Sequence, residues 1–419
     1  MKKLLSILGV TGVVVGTGSF AIAYSINKSS SVKEQVKPEG LTYKTSPQEL
    51  DLNKDFNLDL YIKEKSEHNP ERILKVFLSS KINKELFTKY KLDKKDFKVS
   101  GTESNWNIEI DNKNYKNVKV KLNVIDKKTF ERHENKLKLI LKLQEDAFGT
   151  FHTHQDVLDQ ISVYAKDDGI LGIKALRLDD SKKAKVSLEN STRKGKNIIK
   201  FRFFDQEVKF EPSKVLKNEV ETKYININDF GWKITQIGYK LKNNASIVLD
   251  IAKYKKIYEV PSQLPLKVNS LEKAFYQLES DRINNLDKWN ISNIKSLLST
   301  FDGAKKFNQD ISDWDTSNVT NMQSTFNNAE EFNSPLDGWK VYNVIKMDGM
   351  FEGAKKFDKS LNSWTTSNVT DMSKMFWGAK SFMVILKTEM LEMLNLWVIC
   401  LPKLRNLIKI FQYGIQRMY

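Results

Sequence analysis

Four segments of this chain repeat at a fixed period of 25 residues, and that period constrains the fold more than any other feature. Trp289, Trp314, Trp339 and Trp364 share one register. Phe301, Phe326, Phe351 and Phe376 share a second, and Ala304, Ala329, Ala354 and Ala379 a third. Asn293, Asn318, Asn343 and Asn368 keep step. Each is followed by a β-branched residue (Ile294, Val319, Val344, Val369), and three residues further on by Leu297, Met322, Met347 or Met372. A further apolar column runs through Phe307, Phe332, Phe357 and Phe382. A unit of this length cannot close a core alone. Its large side chains must stack on the same residues one turn along, which predicts a solenoid. The β-branched position suits a short strand. The following x-x-Met-Phe-x-x-Ala spacing predicts a helix with Met375, Phe376 and Ala379 on one side. The Asn column is expected to close a ladder of hydrogen bonds with backbone groups of the next coil. All of these residues read as core of the array. The exposed strand face is expected at the first variable position after the β-branched residue: Lys295, Thr320, Ile345 and Thr370.

The segments NVTNMQSTF, AEEFN, LDGW and NVTDMSKMFWGAKSF resemble the repeat of a mycoplasma surface-protein family of unknown function, itself related to BspA-type leucine-rich repeats. The lead-in VPSQLPLKVNSLEKAF resembles that family's entry to its array. The likeness covers about 258–382. It implies an exported, leucine-rich-repeat-like α/β solenoid with roles in adhesion or host interaction and no enzymatic activity. Family members are often lipoproteins, and here the chain departs from them. Its one cysteine is Cys400, far from the N-terminus.

The N-terminus reads as an export signal. Lys2 and Lys3 precede an uncharged run from Leu4 to Ala23 that ends in Ala21-Ile22-Ala23, the small-x-small pattern of a cleavage site. Cleavage after Ala23 releases the chain. Retention leaves one span with the positive end inside. Either way the remainder is placed outside the cell, secreted or on the outer face of the membrane.

The expected organisation is therefore a signal peptide or signal anchor at 1–23, a linker at 24–45, α+β domains at 46–145 and 146–257, the array at 258–382, and a tail at 383–419. The fold class is α+β: an N-terminal signal or anchor helix, one or two small α+β domains, then the solenoid. In the middle, Asn69-Pro70 opens a helical pattern over Ile73, Leu74, Phe77 and Leu78. Strands are expected in NWNIEID, VKVKLNVID, KLKLILKLQ, AKVSLEN and NIIKFRFF, and a helix in DVLDQISVYAK. After Phe382 the periodicity stops. Moving the reading frame of an AT-rich back-translation by one nucleotide restores Trp, Phe and Ala to the 25-residue register. The tail thus reads as out of frame, and an amphipathic membrane helix is the alternative.

Chemistry is sparse. The formal charge is +16, but only eight of 68 basic residues are Arg, and Lys is interleaved with Asp and Glu along the whole chain. This does not favour a nucleic-acid partner, which leans on bidentate Arg. His152 and His154 carry a His-x-His spacing that two metal ligands on a strand share. With four histidines in the chain and no cysteine nearby, they read as surface polar residues. No catalytic, cofactor or metal residue is assigned. The expected function is non-catalytic binding of a protein or host surface. The alternatives are a frameshifted, non-functional fragment of such a protein, or an exported enzyme with its site in 46–257.

Overall fold

A computed structural model describes residues 52–382 except 103–104, 113–114, 116–117, 244 and 362. The signal or anchor segment, the linker and the tail lie outside the described residues. The chain divides into two compact units after Glu131.

The first unit holds helix α1 (Leu52–Asp55), strand β1 (Asp59–Tyr61), helices α2 (Pro70–Ser79) and α3 (Lys81–Tyr90), and strands β2 (Phe97–Thr102), β3 (Asn105–Ile110) and β4 (Val118–Ile125). The sheet order is β1-β4-β3-β2, with β1 parallel to β4 and the other pairs antiparallel. Helix α2 starts where the sequence says it must. Asn69 accepts a hydrogen bond from the Arg72 amide, and Pro70 occupies the first turn, where its missing N–H costs nothing. In β3 the alternation of Trp106, Ile108 and Ile110 turns one face inward. These side chains meet a cluster of Phe56, Phe77, Phe87 and Phe97 with ring centres 5.1–6.4 Å apart. Asn83 is fully buried. Its Oδ1 accepts from the Asn57 amide at 2.8 Å, and its Nδ2 donates to the carbonyls of Asn57 and Phe77.

Helix α4 (Lys127–Leu143) corrects one sequence expectation. KLKLILKLQ alternates as a strand does, but the register set upstream prevails. Asp126 accepts from the Thr129 amide and opens the helix. The buried residues Phe130, His133, Leu137, Ile140 and Leu141 then follow helical spacing, while Leu139 and Leu143 face outward.

The second unit continues with helix α5 (His154–Asp167), which matches DVLDQISVYAK. Thr153 and Asp156 form a reciprocal capping box at its start. Nine short strands follow: β5 (Arg177–Leu178), β6 (Ile199–Phe203), β7 (Gln206–Phe210), β8 (Glu219–Val220), β9 (Lys223–Asn226), β10 (Trp232–Gln236), β11 (Tyr239–Asn243), β12 (Ser246–Leu249) and β13 (Ile257–Glu259). They make three three-stranded sheets, β5-β6-β7, β8-β11-β12 and β13-β10-β9. AKVSLEN forms no strand. Only Ser187 bridges, to Thr153.

The fold-class expectation is corrected in the repeat region. Among the described residues no helix and no regular strand falls between Trp289 and Ala379, so the repeats do not form the leucine-rich-repeat-like α/β solenoid that was expected. Each unit is instead a run of turns, joined to its neighbours by single parallel bridges: Ser270 to Ser296, Asn321, Lys346 and Asp371 in succession. The reason is local. Ser299, Ser324, Gly349 and Lys374 have φ of 51–60°, and four residues on Gly303, Asn328, Gly353 and Gly378 have φ of 53–73°. Left-handed residues at this spacing stop an α-helix from propagating. They also split the amides into two sets. Thr325, Asn327 and Ala329 bond back three residues within their own unit. Met322, Ser324, Phe326 and Asn328 donate forward to the carbonyls of Lys346, Asp348, Met350 and Glu352 at 2.6–2.9 Å.

Side chains reinforce this ladder. Phe275, Phe301, Phe326, Phe351 and Phe376 stack at 5.2–5.6 Å with interplanar angles of 10° or less. Phe307, Phe332, Phe357 and Phe382 form a second stack at 5.7–6.1 Å. The Trp indoles at 289, 314, 339 and 364 donate to the carbonyls of Pro261, Leu286, Ile311 and Leu336. One continuous buried core runs from Val220 to Met375.

Two stability predictions follow. Phe326→Ala removes a fully buried ring from the middle of a stack and is expected to cost about 3–5 kcal/mol. Asn83→Ala leaves buried backbone partners unpaired and is expected to cost about 2 kcal/mol. Urea unfolding measures both. A loss below about 1 kcal/mol for Asn83→Ala contradicts its bridging role.

Candidate functional site

The column predicted to be exposed is exposed. Lys295, Thr320, Ile345 and Thr370 all face solvent, one per unit. Their backbones are held rung to rung. The amides of Lys295, Thr320, Ile345 and Thr370 donate to the carbonyls of Asn269, Lys295, Thr320 and Ile345 at 2.8–2.9 Å. The hydroxyls of Thr320 and Thr370 also donate to the carbonyl one unit back, at 3.1 Å. Beside this column runs the bridging row Ser296, Asn321, Lys346 and Asp371. In it, the Asp371 carboxyl is held below the usual range by the Ser373 amide. Asp348, two residues beyond Lys346, is pushed up by burial and by Asp371.

The Asn column lies two residues before. Asn318, Asn343 and Asn368 donate through Nδ2 to the carbonyls of Ser292, Ser317 and Tyr342 at 2.7–2.8 Å. These bonds reach the preceding unit, where the sequence pointed to the next one. The third unit carries two exposed apolar side chains within one turn, Tyr342 and Ile345.

Some charges on the units are paired with those of neighbouring units. Glu330 pairs with both Lys305 and Lys355, Glu331 with Lys356, and Asp315 with Lys340. Glu330 is accordingly held below the usual carboxylate range, by Lys355 first. Among the described residues no ion pair forms along the Lys295–Thr370 column. It combines methyl, hydroxyl and ammonium groups on a backbone already fixed.

The histidines are a correction. His152 and His154 are buried, not surface residues. His152 Nε2 stands 3.0 Å from the Tyr239 hydroxyl, and its Nδ1 stands 3.1 Å from the Gly149 amide nitrogen. One neutral tautomer satisfies every atom. Tyr239 donates to the Ala147 carbonyl, His152 Nε2–H donates to the Tyr239 oxygen, and Nδ1 accepts from Gly149. Burial lowers the His152 pKa to about 4. His154 is lowered too, by burial and then by Lys183. Among the described residues no group of three or more His, Cys, Asp or Glu is placed to hold a metal. Residues 192–196, with Arg193, Lys194 and Lys196, form an exposed loop in which Glu211 receives the Gly195 amide.

Two signals were passed over in the sequence. Gly or Asn recurs at 303, 328, 353 and 378, which marks a left-handed residue in each unit. The acidic pair Glu330-Glu331 alternates with the Lys pairs at 305–306 and 355–356, which marks rung-to-rung pairing.

Residues 269–388 match a family described as Mycoplasma protein of unknown function, DUF285. No curated protein and no solved structure matches the chain.

His152 makes acid stability a test of the buried network. Its folded pKa lies below its unfolded value of 6.5, so the stability it contributes is complete above pH 6.5 and is lost as pH falls toward 4. The decline should approach about 1.4 kcal/mol per pH unit between pH 6 and 5. His152→Gln should flatten that decline whatever its stability at pH 7. An unchanged slope in urea unfolding between pH 6.5 and 5 rules the assignment out.

Proposed function

We propose that this chain is an exported cell-surface protein whose repeat array binds a protein or host-surface partner without catalysis. The contact surface is the column Lys295, Thr320, Ile345 and Thr370 with the neighbouring Tyr342. The observation that carries this reading is the fixed spacing of exposed side chains. The column faces solvent, one residue per unit, and its backbone is held rung to rung by hydrogen bonds. Such a surface brings little ordering cost to binding, because its backbone is already held on both sides. The exposed apolar pair Tyr342 and Ile345 serves as the anchor, and the threonines and Lys295 form the polar rim.

The export part of the proposal rests on Lys2, Lys3 and the uncharged run to Ala23. Among the described residues no helix is long and apolar enough to cross a membrane. Brief trypsin treatment of intact cells should release repeat peptides such as the one ending at Lys340. Their appearance only after lysis would remove the surface reading.

Binding of the purified chain to host cells or matrix proteins tests the column. The double change Thr320→Asp, Ile345→Asp is expected to weaken saturable binding about ten-fold or more, at a cost in fold stability within about 0.5 kcal/mol. Equal binding by the variant and the parent sinks the proposed contact surface.

A further inference from the structure

Two buried side chains of the second unit end in polar atoms that bond nothing among the described residues. Gln160 on α5 is 4% exposed, and Gln236 on β10 is 7% exposed. The satisfied end of each amide fixes its orientation. Gln160 Oε1 accepts from the Leu266 amide at 2.6 Å, which only the oxygen can do, so Nε2 is its free donor. Gln236 Nε2 donates to the carbonyls of Glu221 at 2.9 Å and Asp146 at 3.3 Å, which only the nitrogen can do, so Oε1 is its free acceptor. Both residues line one cavity of about 30 Å³. Tyr164, one turn beyond Gln160, lines it as well. Tyr164 as a whole is half-buried, but its hydroxyl lies deep. Burial pushes its pKa up, and the Gln160 amide partly offsets that rise without forming a hydrogen bond. Ala147, Ile237 and Pro265 add apolar wall, and none of the lining residues is charged.

We infer that this cavity is a binding site for a small neutral carboxamide, whose carbonyl accepts from Gln160 Nε2 and whose N–H donates to Gln236 Oε1. The free donor and the free acceptor come from different elements, so a ligand that satisfies both must carry both functions. An uncharged wall offers an ion no counter-charge, which disfavours a carboxylate, a phosphate or a metal cation. Solvent fits less well than an amide. The volume holds about two waters, each of which needs about three hydrogen bonds, and the side chains of Ala147, Ile237 and Pro265 supply none. A carboxamide lays its alkyl part against those side chains and presents only its polar end to the glutamines. Thr235, exposed on β10, borders the cavity where it meets solvent. The site lies apart from the repeat column and does not rest on the function proposed above.

The probe is acetamide, titrated against the full chain and followed through its methyl signal in saturation-transfer NMR. The signal is expected to saturate. Acetone, which lacks the N–H, and acetate, which has the same shape but carries a charge, are expected to compete about ten-fold more weakly than acetamide itself. Gln160→Glu keeps the oxygen that accepts from Leu266 and replaces the donor, so it should weaken acetamide binding about ten-fold or more. Thr235→Trp, at an exposed position that leaves the fold intact, should cap the mouth and abolish saturation, which keeps the site testable if Gln160→Glu does not fold. No saturable acetamide signal means that solvent alone fills the cavity, and overturns the inference. So does competition by acetone or acetate as strong as that of acetamide, or acetamide binding that either folded variant leaves unchanged.

Discussion

The fold of the array depends on where its amides point. Two left-handed residues per unit, four positions apart, interrupt what would otherwise be a helical turn sequence. They leave every second N–H free to reach the next unit. Met322, Ser324, Phe326 and Asn328 show the pattern, and the same positions repeat it along the chain. An α-helix spends its amides within the segment, and its stacking then relies on side chains alone. Here the backbone itself bridges the units, and the rings of the Phe columns are held nearly parallel as a result. The Trp indoles add a third link by reaching a carbonyl 28 residues earlier.

This arrangement has consequences for function. A surface built on a backbone ladder is rigid, and variation at outward positions changes chemistry without changing spacing. Lys295, Thr320, Ile345 and Thr370 differ in polarity and size, yet each occupies the same place on its rung. Other positions on the units carry charges that answer one another, as Lys305, Glu330 and Lys355 do. Those pairs hold neighbouring units in register.

The histidines show the limits of spacing as a guide. His-x-His before a helix suggested exposed polar groups, because nothing near them in sequence offers them a partner. The partner of His152 is Tyr239, 87 residues away, and the two meet through the packing of α5 against the small sheets. Likewise, KLKLILKLQ alternates cleanly over four leucines, but a capped helix start at Asp126 and the burial of Phe130, Leu137 and Ile140 set a different period. Short alternation loses to a longer helical register when the two overlap.

The sequence by itself determined the period of the array, its core columns, its Asn-to-backbone bonds and its outward column. Each of these follows from identical residues recurring every 25 positions, which must meet when units stack. It also determined α2 and α5, through Asn69-Pro70 and the apolar spacing of DVLDQISVYAK, together with β3, β4 and β6. Only the tertiary structure decided that the repeat contains no helix. That outcome turns on the φ of Ser324, Gly349 and Asn328, and a left-handed Ser becomes tolerable only when its freed amide finds a carbonyl on the next unit. The burial of His152 was likewise decided in three dimensions, because a residue's solvent exposure is set by what packs over it, and what packs over His152 comes from a distant part of the chain.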